Sequence, residues 1–137
     1  MSWSGHCQVP GQFAPVDLIG IPYRLGADPL KHGATDCVNL CRTVLAWYGI
    51  NTPAPTRQWY RRLRDGDTAV FWEELESWGY RTTTAAATTV ALLKIGTGYG
   101  LAAYYEEGWL YCNAQMNRVA WSPFVSIEAV YCPGKSN

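Results

Sequence analysis

Cys37 is the residue in this sequence whose type and position best suit covalent chemistry. It follows two residues that can cap a helix, Thr35 and Asp36, and it begins a predicted helix that is closed by Gly49. Free backbone N–H groups and the positive end of the helix dipole stabilise anions, so we expect a thiolate to be favoured there. A cysteine on an apolar helical face is otherwise usually a small core residue. Both interpretations stay open for Cys37.

A thiol nucleophile needs a partner that accepts and returns protons, and the sequence offers few. Its two histidines, His6 and His32, both precede Cys37. His32 lies in the predicted loop at 26–33 that leads into the predicted helix, so its ring would reach the thiol only if that loop folds back. His32 is therefore the weak candidate for the general base. The alternative interpretation is that His32 is a solvent-exposed loop residue without a catalytic role. His6 lies in an irregular N-terminal segment.

A metal site is a second way to use these residues. Cys37 and Cys41 are four residues apart on one helical face, and His6, Cys7 or His32 are the available additional ligands. Zinc sites usually combine two closely spaced ligand pairs, and here no second pair exists. We therefore predict no metal and no cofactor, and we assign Cys41 to the core.

Four arginines and two aromatic residues lie between residues 57 and 64. Guanidinium groups and aromatic rings together can bind nucleic acids or other anions. Glutamates follow at 73, 74 and 76, which favours a solvated, partly salt-bridged helix face. The 11 basic and 11 acidic residues give no net charge, so we expect neither a nucleic acid nor an anionic membrane as partner.

The length and composition of the chain predict one domain over residues 1–137, with an irregular N-terminal segment at 1–15. No apolar run is long enough to span a membrane, and the N-terminus lacks a signal-like pattern, so we expect a soluble protein made without a cleaved signal. The five cysteines show no disulfide framework and are expected to be reduced. Seven tryptophans and nine tyrosines suit a compact core or an assembly surface.

The order of the predicted elements indicates the fold class. Apolar residues recur with helical periodicity over 37–48, and further helices are predicted over 56–64 and from Asp67 or Thr68 to Gly79. Strand-like segments follow at 82–84, 90–95, 101–105, 108–113, 118–121 and 129–132, with a hairpin turn at 106–108. A glycine-rich stretch at 96–100 is predicted to be a flexible connection, not a phosphate loop. This layout predicts an α+β fold with N-terminal helices packed on a C-terminal antiparallel sheet.

Three segments resemble the NlpC-type papain-like cysteine peptidases, most closely the short versions encoded with phage tail proteins. They are Leu-Ile-Gly-Ile-Pro-Tyr-Arg-Leu-Gly at 18–26, Asp-Cys-Val-Asn-Leu at 36–40, and Tyr-Gly-Ile at 48–50 ahead of Pro53. The match covers residues 16–55 well and the remainder only by pattern. The resemblance implies a papain-like NlpC-type fold in which Cys37 has the position of the nucleophile.

The chain departs from that family where the general base should be. In the family the base is a histidine on the first strand after the helices, and a second histidine often lies on the next strand. Gly100 stands at the first of these positions, and Cys112, or the adjacent Tyr111, stands near the second. A thiol without a proton acceptor is a poor catalyst of acyl transfer. The resemblance, together with this departure, therefore implies a protein with the fold of the family but without its hydrolytic activity.

Three hypotheses of function follow from these observations. The first is a structural or assembly protein of a phage tail tip or baseplate hub, located in the virion tail after synthesis in the host cytoplasm. Its expected partners are other tail or baseplate proteins, and a peptidoglycan peptide is a further candidate partner. The alternative is an active cysteine peptidase that cleaves peptidoglycan peptide amide bonds during cell-wall penetration. The third is a peptide- or glycan-binding module of cellular origin that uses the old active-site groove.

Overall fold

The computed structural model describes residues 14–134, and in this part of the chain four α-helices precede a six-stranded sheet. A 3-10 helix, Pro15–Leu18, comes first and is followed by α1 (Pro29–His32), α2 (Cys37–Trp47), α3 (Arg57–Arg64) and α4 (Ala69–Trp78). The strands are β1 (Gly79–Thr82), β2 (Val90–Ile95), β3 (Gly98–Tyr105), β4 (Gly108–Asn113), β5 (Arg118–Ser122) and β6 (Ile127–Pro133). The predicted α+β class is confirmed, with the helices on the N-terminal side of an antiparallel sheet.

Helix α2 begins and ends where the sequence predicts. The Asp36 side chain caps it by accepting the backbone N–H of Asn39 at 2.8 Å. At the other end the chain turns out of the helix through Gly49, whose φ of 89° suits glycine. The buried face of α2 packs against β3 and includes Val38, Cys41 and Val44. This packing fixes the position of Cys37 relative to the sheet.

The two following helices are also confirmed, and a salt bridge links them. Thr56 caps α3 through its hydroxyl, which accepts the Trp59 N–H at 3.1 Å. Arg62 of α3 pairs with Glu73 of α4 at 2.7 Å and with Asp67 at 2.8 Å. Within the arginine-rich segment 57–64, the predicted salt bridging is therefore present at Arg62, which lies off the face shared by Arg57, Arg61 and Arg64. Within residues 14–134, no helix combines the length and the apolar character needed to cross a bilayer.

The strands lie in the order β1-β6-β2-β3-β4-β5, and every neighbouring pair is antiparallel. The C-terminal strand β6 is therefore inserted between β1 and β2. The predicted hairpin turn between β3 and β4 is confirmed, with Tyr105 paired to Gly108. Its two central residues, Glu106 and Glu107, have φ values of 51° and 60°, as a type I′ turn requires.

Three local predictions were wrong in their limits. Strand β1 ends at Thr82, so Thr83 and Thr84 lie outside the sheet. The glycine-rich stretch is mostly strand, because Gly98 pairs with Ile95 and Gly100 pairs with Leu93, which leaves only residues 96–97 as the connection. The segment 26–33, expected to be a loop, contains the single turn of α1. Cross-strand pairing overrides the weak local preference of glycine, and the sequence pattern alone does not reveal it.

The sheet carries apolar residues on both faces. The side that faces α2 and α4 includes Leu92, Leu101 and Leu110, which belong to the main core. The opposite face carries a second cluster, which comprises Ala91, Leu93, Ala102, Trp109 and Val130. Because side chains alternate along a strand, neighbouring residues of β3 contribute to different clusters. This alternation decides which residues of β3 and β4 face Cys37.

Candidate functional site

A cavity of about 560 Å³ opens at the N-terminus of α2, beside α3 and the ends of β3 and β4. Three of the four predicted site residues, Cys37, Gly100 and Cys112, line it. The remaining walls are mainly apolar and are formed by Tyr23, Leu25, Val38, Trp59, Leu63, Phe71, Ile95, Gly98, Tyr99 and Ala114, with Asp36, Arg64, Asn113 and Asn117 as the other polar residues. Its volume lies in the range of small-ligand sites.

His32 is the predicted site residue that the structure keeps apart from the others. It ends α1, its side chain is exposed, and it is absent from the cavity lining. Its Nδ1 accepts the backbone N–H of Asp28 at 2.9 Å, so one ring nitrogen is already engaged. None of the described residues that line the cavity is a histidine. In this arrangement Cys37 has no imidazole partner within the described part of the chain.

Asp36 is a buried carboxylate, only 1% exposed, that holds the start of α2 in place. Its Oδ1 accepts the Asn39 N–H, which is the capping bond of α2. Its Oδ2 accepts the Gly26 N–H at 2.8 Å and the hydroxyl of Tyr60 at 2.6 Å. Three donors thus satisfy the carboxylate, as burial of a charged group requires. Through these three hydrogen bonds, Asp36 connects the loop before α2 and α3 to the N-terminus of α2.

Asn39 extends this network away from the cavity. Its Nδ2 donates to the carbonyl of Ala27 at 3.0 Å and to the Tyr60 hydroxyl at 3.3 Å, and its Oδ1 accepts from Arg42 at 2.8 Å. The sequence analysis missed Tyr60 as a functional neighbour of Asp36. No local signal could have found it, because 24 residues separate the two and only tertiary folding brings them together.

The electrostatic environment keeps the Cys37 thiol protonated. Burial raises its pKa to about 12, and the negative charge of Asp36 adds to the shift. Backbone N–H groups of Leu101, Cys37 and Val38 oppose the shift without cancelling it. The expectation that the helix terminus favours a thiolate is therefore wrong for this site. The physical reason is that the sulfur is desolvated and the capping carboxylate already occupies the anion position at the helix end.

Two further titratable side chains of the cavity lining, Tyr23 and Cys112, also have raised pKa values. Burial raises the pKa of Tyr23 to about 12, with the charges of Cys37, Asp36 and Cys112 as further causes. Burial also raises the pKa of Cys112, followed by the effects of Cys37 and Asp36. At neutral pH the described lining therefore offers neutral thiol and phenol donors, and its one carboxylate already accepts three hydrogen bonds. No group in this lining is placed as a free general base.

Gly100 borders the cavity, but a side chain at position 100 would point to the sheet face opposite α2. Leu101 belongs to the core that faces α2, whereas Ala102 belongs to the opposite cluster, so alternation places a side chain at 100 with Ala102. A Cβ at Gly100 would lie 2.9 Å from Cδ1 of Ile95. A histidine at this position would therefore require the Ile95 side chain to move.

On the next strand, only one of the two residues near the family's second histidine faces α2. Cys112 packs against the main core, and Tyr111 packs against the cluster on the opposite face. The sulfur of Cys112 therefore shares the cavity with that of Cys37. Both thiols are free, as is that of Cys41, which is fully buried in the core as predicted.

Metal ligation receives no geometric support from the described residues. Between residues 14 and 134 no three His, Cys, Asp or Glu side chains are grouped in a way that could hold an ion. His6 and Cys7, which the sequence analysis considered as additional ligands, lie outside the described residues.

No protein-family model matches the sequence, and no curated protein matches it significantly. A function for the cavity therefore has to be inferred from its residues and their geometry.

Proposed function

We propose that this chain is a structural or assembly component of a phage tail tip or baseplate hub, built on a papain-like NlpC-type domain that no longer hydrolyses amides. The observation that carries the proposal is the state of Cys37. It heads α2 inside a cavity, as a nucleophile would, yet its thiol pKa is raised to about 12 and no histidine lies among the described lining residues. The position of Cys37 at the start of α2 fits the peptidase family. Its raised thiol pKa and the lack of a histidine in the described cavity lining do not fit a nucleophile.

The segments that carry the family resemblance contact one another, which supports a common fold. Tyr23, of the Pro-Tyr pair, forms a bridge with Thr35 just before the Asp-Cys pair. Thr35 also donates its backbone N–H to the carbonyl of Pro22 at 3.0 Å. The Gly26 N–H bonds to Asp36, and the Tyr23 ring lines the cavity beside Cys37. Residues of the two motifs thus build one wall of the same cavity.

The protonation state of Cys37 argues against hydrolysis. Attack on an amide requires the thiolate, and a second group must then protonate the leaving amine. With its pKa raised to about 12, the Cys37 thiol is almost entirely protonated at pH 7. An ordinary cysteine with a pKa of 9.0 has about one per cent thiolate at that pH. Loss of one member of a catalytic unit typically costs several orders of magnitude in rate.

An active cysteine peptidase that acts on peptidoglycan peptides is the second candidate. The observation in its favour is that backbone N–H groups of Leu101, Cys37 and Val38 lower the thiol pKa, against the larger effect of burial. Such donors can stabilise an oxyanion at the carbonyl under attack. A base would still have to come from outside the described residues or from a rearranged His32.

Thiol labelling combined with a hydrolysis assay tests the loss of activity. We expect iodoacetamide to label Cys37 at pH 7 more slowly than it labels Cys37 in the urea-unfolded chain, with mass spectrometry reporting each site. We also expect no release of amine from purified muropeptides. Hydrolysis that disappears in Cys37→Ala but persists in Cys132→Ala would establish the peptidase instead.

Localisation needs a separate test. An antibody against the chain should label one end of the tail in purified particles from the source culture, and deletion of the coding sequence should give incomplete tails. Complete tails after deletion, with no antibody signal on particles, would contradict an assembly role.

A further inference from the structure

The cavity wall has one basic side chain among its described residues, and that residue continues a row of arginines. Arg64 lines the cavity and lies on the same face of α3 as Arg61 and Arg57. All three side chains are exposed. Along the helix axis the row extends about 10 Å, from the cavity to the opposite end of α3. The mainly apolar cavity thus adjoins a positively charged row of arginines.

These arginines differ from their neighbour Arg62 in how their charge is balanced. Arg62 forms close ion pairs with Asp67 and Glu73. Arg64 has a carboxylate only at 3.7 Å, on Asp65, and both side chains are more than 70% exposed. For Arg57 and Arg61 no ion pair occurs with any residue of the described range 14–134. The outward face of α3 therefore carries uncompensated positive charge on a chain whose net charge is zero.

The segments outside the described range do not supply the complementary charge. Residues 1–13 and 135–137 contain no aspartate and no glutamate. An acidic segment of another molecule would complement this row. An extended peptide advances about 3.3 Å per residue, so carboxylates spread over three or four residues match the length of the arginine row.

We propose that the cavity and the row Arg57, Arg61 and Arg64 form one docking site for an extended acidic segment of a partner protein. One bulky apolar side chain of the segment enters the cavity beside Trp59 and Phe71, and the carboxylates next to it pair with the arginines in turn. The aromatic walls supply contact area, and the arginines supply orientation and attraction. This inference rests on the proposed function, because it treats the cavity as a binding site and the partner as a component of the same assembly.

Fluorescence polarisation with the full-length protein tests the site. The probe is a fluorescein-labelled synthetic peptide in which one tryptophan is followed by Glu-Glu-Gly-Glu, used together with its reverse sequence. We expect saturable binding of at least one probe, weakened by added salt because exposed ion pairs are screened. Replacing every glutamate by glutamine, or the tryptophan by glycine, should weaken it further.

Matched variants locate the binding. Arg57→Gln combined with Arg61→Gln should weaken it about three- to tenfold, the effect expected for two exposed ion pairs, whereas Arg81→Gln on β1 should not. Leu25→Asp, at a cavity residue that is 49% exposed, should weaken it, whereas Ile19→Asp, at a residue that is 45% exposed outside the cavity lining, should not. Circular dichroism of each variant verifies that it is folded.

Several outcomes would overturn the docking site. They are an absence of saturable binding, equal binding of the glutamine peptide, equal effects of the target and control variants, and binding of muropeptides in place of both acidic probes. Mass spectrometry of the same mixtures, with muropeptides added, distinguishes failure of the docking site from failure of the proposed function. Cleavage of a muropeptide in them would overturn the non-hydrolytic assignment, whereas lack of probe binding without cleavage would overturn the docking site alone.

Discussion

Tyr60 donates its hydroxyl hydrogen to Oδ2 of Asp36 across 2.6 Å, and this bond joins α3 to the N-terminus of α2. Asp36 is also the residue next to Cys37, so the bond connects α3 to the residue that precedes the thiol. Burial raises the pKa of Tyr60, and the hydrogen bond to Asp36 raises it further. The phenol therefore stays protonated, and able to donate to Asp36, over the physiological pH range.

Removing the Tyr60 hydroxyl should destabilise the fold. Tyr60→Phe leaves a buried carboxylate with two donors where it had three, and hydrogen bonds to charged groups contribute about 1.5–3 kcal/mol. We expect the free energy of unfolding to fall by this amount, measured by urea denaturation. Tyr80→Phe on β1 is the control, since the Tyr80 hydroxyl makes no hydrogen bond within the described residues. Equal losses in the two variants would show that the Asp36 contact contributes nothing specific.

Neutralising Asp36 should make Cys37 easier to ionise. In Asp36→Asn the side chain can still cap α2, because its oxygen can accept the Asn39 N–H. The variant removes the negative charge that raises the thiol pKa, but it leaves burial, which is the larger cause. The pKa of Cys37 should therefore drop below about 12 and remain above the ordinary value. The pH dependence of alkylation at Cys37, followed by mass spectrometry, measures the change.

Glu128→Gln, at an exposed position on β6, controls for the loss of one negative charge at the surface. Its alkylation profile at Cys37 should match that of the parent protein. If Asp36→Asn also left the profile unchanged, Asp36 would have no electrostatic effect on the thiol.

Alkaline pH should unfold the protein through the cavity thiol. The folded pKa of Cys37 is raised from an ordinary 9.0 to about 12, so the folded protein retains a proton that the unfolded chain releases. Its contribution to stability is complete below pH 9 and is lost as the pH rises towards 12, by at most about 1.4 kcal/mol per pH unit. Tyr23, raised to about 12 from 10.0, acts in the same direction. The free energy of unfolding, measured from pH 8 to pH 11, should decline throughout the upper part of this range.

Cys37→Ala tests the source of that decline. Without the thiol, stability should fall less steeply above pH 9 than it does in Cys132→Ala, the matched control that removes a half-buried thiol on β6. Identical slopes in both variants would exclude Cys37 as a contributor.

Gly100 and Ile95 should show coupled effects on stability. A Cβ at position 100 would approach Cδ1 of Ile95 to 2.9 Å, closer than a normal contact, so Gly100→Ala requires this terminal methyl group to move. Because the Ile95 side chain is 41% exposed, we expect a small cost, below about 1 kcal/mol. In the Ile95→Ala background that methyl group is absent, and the same substitution should cost less. A double-mutant cycle by thermal or urea denaturation measures the coupling. Additive effects would mean that the Ile95 side chain moves aside without cost.

The sequence alone predicted the elements that depend on local pattern. Helix α2 has a continuous apolar face, a capping residue and a terminal glycine, and each of these acts within a few residues. Strands β2 and β4 were predicted with their observed limits for a similar reason, since β-leaning runs are bounded there by turn residues. The α+β class followed from the order of these elements.

The residues of the site were only partly predictable. Cys37 was found because its signal is local, at the first position of α2. The convergence of Cys112 and Gly100 on the same cavity came from a family resemblance and not from their own pattern. Tyr60 and the arginine row beside the cavity went unrecognised as parts of the site, because their relation to Cys37 exists only once α3 packs beside α2.

The sequence by itself determined that a cysteine begins a capped helix in an α+β domain. Only the tertiary structure decided the chemistry of that cysteine, because a pKa depends on what surrounds the group in space. Burial in the cavity and the neighbouring Asp36 charge raise the thiol pKa to about 12 against the opposing effect of the backbone N–H groups. Desolvation comes from residues brought together along the whole chain, and it outweighs the local helix dipole that the sequence pattern indicates.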